Sequence, residues 1–125
     1  MARILICDDE PNIVVSLEFL MRQKGHEVRV VGDGDAALAA VPEFDPDLVL
    51  LDLMLPGRDG YEVCQTLRAG GHRMKILMLT AKGREAEIAK GLAVGADGYV
   101  TKPFGTQDLV ARVQQLLGSR GVNSE

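Results

Sequence analysis

Polar side chains suited to metal and phosphate chemistry follow four short apolar runs of this chain. In chain order they are Asp8, Asp9 and Glu10 after the first of these runs, then Asp52, Thr80 and Lys102 after the others. Two carboxylates about 4 Å apart repel each other by about 4 kcal/mol at an effective dielectric of about 20. If the acidic residues meet in the fold, either one carboxyl stays protonated or a cation lies between them. Oxygen ligands with few carboxylates favour Mg²⁺.

Each of these residues also has a purely structural interpretation. Asp8 or Asp9 is placed where an N-cap for the next helix is expected. Asp52 alone is compatible with a turn, Thr80 with a strand-end hydroxyl, and Lys102 with a solvated charge. The coincidence of all four features at four strand ends favours the functional interpretation.

The hydrophobic pattern predicts the elements that position these groups. Five apolar runs alternate with five helix-like segments, and the runs cover residues 4–7, 28–31, 48–51, 76–79 and 99–101. Two of the intervening segments, 13–21 and 109–117, place their apolar residues on one helical stripe. A helix over 36–41 is expected to stop at Pro42, and another is expected over 86–94. Strict alternation predicts parallel strands with helices on both faces and a ligand site at the carboxyl ends of the strands.

Composition limits the classes of protein to consider. The 125 residues suit one domain, and 14 basic against 18 acidic residues give a net charge of −4. A mildly acidic chain without a basic run predicts no direct nucleic-acid binding, and no uncharged apolar run approaches the ~18 residues of a membrane span. Two cysteines, Cys7 and Cys64, predict packing residues in a reducing, cytoplasmic setting.

The motifs together resemble the receiver domain of bacterial two-component response regulators. They are DDE at 8–10, DLMLPG at 52–57, LTA at 79–81 and KPF at 102–104, and the resemblance extends over residues 3–117. It implies a flavodoxin-like, doubly wound α/β fold with five parallel strands in the order 2-1-3-4-5 and five helices. It also implies a receiver domain over 1–118, with 119–125 as a flexible tail or the start of a linker.

The resemblance implies a metal site and a phosphoryl acceptor. Asp52 matches the phosphoacceptor of the family. Asp8 and Asp9 match the acidic pair that holds Mg²⁺ together with Asp52, and the backbone carbonyl of Met54 matches a further metal ligand.

The same resemblance implies the parts of a switch. Thr80 and Ala81 match the segment that contacts the phosphoryl group and moves with it, and Lys102 matches the lysine that contacts that group. Tyr99 matches the aromatic residue that turns inward on activation. Pro103 matches a proline that usually follows a cis peptide bond, an isomer that proline permits.

By this resemblance the protein is a phosphorylation-activated signalling switch and not an enzyme beyond its own phosphorylation and dephosphorylation. Its partners are expected to be a sensor histidine kinase or a histidine phosphotransfer protein, and a downstream protein target. The fourth helix, fifth strand and fifth helix are expected to form the output surface. A monomer, or a weak dimer on activation, is expected; ion bridges across such a dimer would involve Lys90, Asp97, Asp108 and Arg112.

Two positions depart from common family patterns. Met54 and Lys82 stand two residues beyond Asp52 and Thr80, where amide or acidic side chains assist the hydrolytic water in relatives. Met54 offers an apolar shield instead, which predicts slow self-dephosphorylation.

Three other functions are less compatible with the residues. An aspartyl-nucleophile phosphatase has an Asp-x-Asp pattern after its first strand, whereas Asp52 follows the third run and lacks a second acid at Met54. A flavin carrier needs a phosphate loop rich in Ser, Thr and Gly where this chain has three acids. A phosphorylation-independent interaction module has no need of Asp52, Thr80 and Lys102 together, and it remains the alternative.

Overall fold

In the computed structural model, which describes residues 1–81 and 85–120, strands and helices alternate along the chain. In chain order they are β1 (Arg3–Cys7), α1 (Pro11–Gln23), β2 (Glu27–Val31), α2 (Gly34–Phe44), β3 (Leu48–Asp52), α3 (Gly60–Ala69), β4 (Lys75–Ala81), α4 (Glu85–Ala93), β5 (Gly98–Lys102) and α5 (Thr106–Arg120). The segment that follows Ala81, residues 82–84, lies outside the described residues, and the expected tail over 119–125 lies partly outside them.

The five strands form one parallel sheet in the order β2-β1-β3-β4-β5. Because every strand runs the same way, all five carboxyl ends lie along one edge. This confirms the predicted α/β fold, including the strand order that the resemblance implied.

The two faces of the sheet explain why its central strands are apolar throughout. Leu5 and Val49 point into a core shared with α2 and α3. Ile4 and Leu48, their neighbours in sequence, point into a second core shared with α1 and α5. Residues 4–7 of β1 and all residues of β3 are therefore buried whichever face they point to, as expected for parallel strands covered on both sides.

One predicted boundary is wrong. The second helix is expected from the sequence to stop at Pro42, but α2 continues to Phe44 with Pro42 inside it. Proline removes one backbone donor from a helix. Here it stands in the last turn, where Val41 and Phe44 are buried in the core and hold the turn in place. Asp45 is the C-cap: its N–H donates to the Val41 carbonyl at 2.9 Å, and its left-handed backbone (φ 52°) turns the chain out of the helix.

The remaining boundaries differ from prediction by a few residues, as for α4, which is expected over 86–94. Within the described ranges, no helix is both long enough and apolar enough to cross a membrane.

Candidate functional site

The carboxyl edge of the sheet brings together residues that are far apart in sequence. Asp8 follows β1, and its N–H donates to the Val31 carbonyl on β2 at 3.1 Å. Asp52 is the last residue of β3 and pairs with Leu79 on β4. Lys102 is the last residue of β5 and pairs with Ala81. These pairings fix the edge at which the functional side chains meet.

Three carboxylates meet at this edge. One oxygen from each of Asp8, Asp9 and Asp52 lies within 4.8 Å of the other two. Asp8 and Asp52 are almost fully buried, at 1% and 5% exposure, while Asp9 is exposed. Buried like charges this close are unfavourable unless a cation offsets them. The cluster therefore has the donor chemistry and the spacing of a site for a small divalent cation.

Backbone donors orient the two buried carboxylates. The N–H of Glu10 donates to Asp8 Oδ1 at 2.9 Å, and the N–H of Met54 donates to Asp52 Oδ1 at 3.1 Å. The N-cap of α1 is Glu10, which makes no capping bond with its side chain. The interpretation of Asp8 or Asp9 as the helix N-cap is therefore wrong.

Lys102 faces the other oxygens of the same carboxylates. Its Nζ lies 3.0 Å from Asp8 Oδ2 and 3.5 Å from Asp52 Oδ2. Lys102 therefore forms an ion pair with each of the two buried carboxylates. Lys102 is also 3.2 Å from Oε1 of Glu10. Sequence reasoning assigned no role to this last contact.

At both Asp52 and Lys102, burial and the charge of the ion-pair partner shift the pKa in opposite directions. Burial raises the pKa of Asp52, and the nearby Asp8 charge raises it further. The Met54 N–H and Lys102 lower this pKa, but the net value lies above the ordinary one. Burial lowers the pKa of Lys102, but its ion pairs with Asp8, Asp52 and Glu10 outweigh burial and raise it. The ammonium therefore stays charged, while the Asp52 carboxylate is held in an environment that favours neutralisation.

Thr80, on β4 next to Asp52, has a buried hydroxyl with an unused donor. Its Oγ1 makes no hydrogen bond to any residue in the described part of the chain, and the residue is only 3% exposed. An unsatisfied buried hydroxyl is costly. It would gain a partner if an acceptor oxygen entered the site.

The site opens to solvent as a cavity of about 230 Å³. Its walls include Asp9, Asp52, Met54, Thr80, Ala81, Glu87 and Lys102. The side chain of Met54 is 72% exposed at its rim, and Ala81 is exposed. The position of Lys82, the second departure from family patterns, lies outside the described residues.

Tyr99 connects this site to the surface formed by α4, β5 and α5. It is half-buried, lines a narrow crevice together with Thr80 and Gly91, and has the Arg112 guanidinium 5.4 Å from its ring centroid. The bond between Lys102 and Pro103 is cis.

Comparison with known proteins identifies the family. A model of the response regulator receiver domain matches residues 4–114. The chain belongs to this family.

Named relatives fit this assignment. The DNA-binding response regulator MtrA of Mycolicibacterium smegmatis is 50% identical over 115 residues, which are 92% of this chain and 50% of MtrA. The chain thus spans half the length of this curated relative. The BeF3-activated N-terminal receiver domain of RstA from Klebsiella pneumoniae is 32% identical with a TM-score of 0.87, and the match covers 92% of this chain and 97% of that one.

A third relative bears on the metal. The receiver domain of the sensor histidine kinase PA1611 from Pseudomonas aeruginosa PAO1 is 31% identical with a TM-score of 0.85, over 94% of this chain and 98% of that one. Its structure has a magnesium ion coordinated in the active-site cleft. Receiver domains bind Mg²⁺ at an acidic site, and the Asp8, Asp9 and Asp52 cluster of this receiver has the donors for it.

Three of the residues considered for ion bridges across a receiver dimer have partners within the chain. Asp97 pairs with Arg68 at 2.9 Å. Lys90 lies 4.4 Å from the ring centroid of Tyr61, and Arg112 donates to the Tyr99 carbonyl at 3.1 Å. New bridges between subunits would have to compete with these contacts.

Proposed function

We propose that this receiver is a phosphorylation-activated switch that takes a phosphoryl group onto Asp52 in a Mg²⁺-dependent reaction. The donor is a sensor histidine kinase or a histidine phosphotransfer protein. The observation that supports this most directly is the meeting of Asp52 with Asp9, Lys102 and the unpartnered Thr80 hydroxyl in one cavity, with the Asp8 carboxylate in the same acidic cluster. The Asp52 oxygen not held by the Met54 N–H is the natural nucleophile, because its lone pairs are free of the backbone.

The transfer needs little covalent help from the protein. The Asp52 oxygen attacks phosphorus in line, the new O–P bond forms as the N–P bond of the phosphohistidine breaks, and the bonding pair stays with the imidazole. Asp8, Asp9, Asp52 and the backbone carbonyl of Met54 would hold Mg²⁺. When bound, the metal supplies positive charge that offsets repulsion between the carboxylates and the incoming phosphoryl oxygens.

Lys102 and Thr80 bind the product. The ammonium of Lys102 already lies 3.5 Å from Asp52, so its charge stabilises the phosphoryl oxygens as they arrive. The Thr80 hydroxyl donates to one of these oxygens and gains the partner that it lacks. Because the phosphoryl group adds nearly two negative charges, both contacts strengthen on phosphorylation.

The signal then passes to the surface of α4, β5 and α5. Movement of Thr80 and Ala81 toward the phosphoryl group vacates space beside the crevice, and Tyr99 turns inward to fill it. The changed surface binds a downstream protein target, either from a monomer or from a weak dimer.

We assign the receiver to residues 1–118, with 119–125 as a flexible tail or the start of a linker, although α5 itself continues to Arg120. This domain itself binds no nucleic acid directly, in keeping with its net charge of −4. Cys7 and Cys64 are both buried and free, which suits a reducing cytoplasm.

Phosphorylation is tested by incubating the protein with Mg²⁺ and a small acyl phosphate and measuring its intact mass. We expect the mass of one phosphoryl group on the parent, none on Asp52→Asn, and none on the parent when a chelator replaces Mg²⁺. No added mass on the parent, under conditions that label a known receiver, would refute the proposal.

A further inference from the structure

Glu10 occupies the N-cap position of α1 without capping the helix. Ser, Thr, Asp and Asn are the residues that cap well, and the Glu10 side chain makes no capping bond. Its carboxylate contacts Lys102 instead, with Oε1 3.2 Å from Nζ. Side-chain capping of the helix therefore does not account for an acid at this position.

Lys102 has three carboxylate neighbours, and only two of them belong to the acidic cluster. Asp8 and Asp52 belong to the acidic cluster that has the donors for a divalent cation. Glu10 does not belong to that cluster, and its side chain is 62% exposed. When a cation binds the carboxylates of Asp8 and Asp52, the Glu10 carboxylate remains available to Lys102.

We propose that Glu10 is a positioning residue for phosphoryl transfer, which holds the Lys102 ammonium toward Asp52 when Mg²⁺ engages the other two carboxylates. The inference rests on the proposed function and adds a residue to it. Glu10 acts from both its backbone and its side chain. Its N–H fixes Asp8 Oδ1 at 2.9 Å, and its carboxylate holds the lysine that faces Asp8 Oδ2.

The competing effect of Glu10 is electrostatic and has the opposite sign. An extra negative charge near Asp52 repels an anionic phosphodonor, so its removal alone would speed phosphorylation. If positioning dominates, removal slows it. The sign of the rate change therefore separates the two effects.

The first experiment compares phosphorylation rates with an acyl phosphate and saturating Mg²⁺. We expect Glu10→Ala to react about two- to fivefold more slowly than the parent, the size expected for an ion pair with one exposed partner. Glu10→Gln keeps an acceptor oxygen within reach of Lys102, so it recovers part of the rate. The matched control is Glu43→Ala, which breaks the exposed 3.2 Å pair with Arg29 away from the site and leaves the rate unchanged. A rate for Glu10→Ala equal to or above that of the parent overturns the inference.

The second experiment asks whether Glu10 acts through Lys102. In a Lys102→Ala background, the additional change Glu10→Ala has no lysine to release, so no further slowing is expected. If the second substitution slows the Lys102→Ala protein as much as it slows the parent, Glu10 acts by another route and the inference fails.

The third experiment measures Lys102 without phosphorylation. Acetylation of its amine by an N-hydroxysuccinimide ester is followed by peptide mass spectrometry and normalised to the exposed Lys24. With Mg²⁺ present, we expect Lys102 of Glu10→Ala to react about two- to fivefold faster than that of the parent, and the difference to shrink without Mg²⁺. Equal Lys102 reactivity in the two proteins with Mg²⁺ present contradicts this.

The two proposals fail differently. The proposed function and the role of Glu10 are both overturned if the parent takes up no phosphoryl group and the acetylation rate of its Lys102 does not change with Mg²⁺. A parent that is phosphorylated on Asp52, alongside a Glu10→Ala variant that behaves like it, overturns the role of Glu10 alone.

Discussion

Gly60 packs directly against the backbone of Asp52. A β-carbon at Gly60 would lie 2.8 Å from the Asp52 carbonyl oxygen and 2.8 Å from the Leu53 Cα. The Gly60 N–H also donates to the Leu53 carbonyl at 3.1 Å. The first residue of α3 is thus part of the support that fixes the end of β3, from which the Asp52 side chain projects.

The first prediction concerns this contact. Gly60→Ala forces backbone atoms apart, because the two nearest atoms to the new methyl group, a carbonyl oxygen and a Cα at 2.8 Å, belong to the backbone, and the Leu53 side chain is the third at 3.1 Å. We expect a loss of about 1–3 kcal/mol in the free energy of unfolding, as for other overpacked sites. We also expect slower acyl phosphate labelling, because the shift moves Asp52 relative to Lys102. Urea denaturation and intact mass measure the two effects.

The control for this substitution is Gly118→Ala. Gly118 lies in α5, and among the described residues a β-carbon added there would meet nothing within 4 Å beyond its chain neighbours and the local helix backbone, so alanine is neutral or slightly stabilising. If Gly60→Ala unfolds at the same urea concentration as Gly118→Ala, the contact with Asp52 is not a constraint.

The fold could be predicted from the sequence because the alternation of apolar runs with helical segments is repeated five times along the chain. Leu48 to Leu51 must be apolar on both faces, and four other runs alternate with helices around them. The α2 boundary failed because a local rule about Pro42 competes with burial of Val41 and Phe44, which a linear pattern does not reveal.

The site was predictable residue by residue but not in its connections. Parallel strands place Asp8, Asp52 and Lys102 at one edge, so their meeting followed from topology. The contact of Glu10 with Lys102 joins residues 92 positions apart through side-chain conformation. The only sequence signal for it was a Glu at a position where capping residues are preferred.

The pH dependence of stability provides a second prediction. Because burial raises the pKa of Asp52, the folded protein binds its proton more tightly than the unfolded chain does. The contribution of Asp52 to stability is therefore present below its ordinary pKa of 3.8 and is lost as pH rises through the raised folded value. Asp52→Asn removes this loss.

This prediction is measured by urea denaturation in a chelator at a series of pH values from about 4 to 7. The stability of the Asp52→Asn variant relative to the parent should increase over the series. A stability difference that stays constant, or that changes in the opposite direction, would show that the carboxylate is not destabilised by its surroundings.

Met54 gives a third prediction. Its side chain is 72% exposed at the rim of the cavity that contains Asp52, and it has no group to orient an attacking water. We expect the phosphorylated Met54→Asn variant to lose its phosphoryl group about fivefold faster than the parent, the effect of one added hydrogen bond of about 1 kcal/mol. Intact mass is followed after the phosphodonor is removed. Equal hydrolysis rates would mean that the side chain at this position does not control the water.

The last prediction concerns the attachment of α4 to α3. The Tyr61 hydroxyl donates to the Glu87 carbonyl at 2.9 Å, and the Lys90 ammonium lies 4.4 Å from the centroid of the same ring. Tyr61→Phe removes the hydrogen bond and keeps the ring, so we expect a loss of about 1 kcal/mol in unfolding free energy. We also expect hydrogen exchange to become faster than in the parent, and more so in α4 than in α5. Tyr61→Leu also removes the cation–π contact and should be less stable by a further amount of about 0.5–1 kcal/mol. If the exchange of α4 amides is the same in Tyr61→Phe and the parent, this link does not restrain α4.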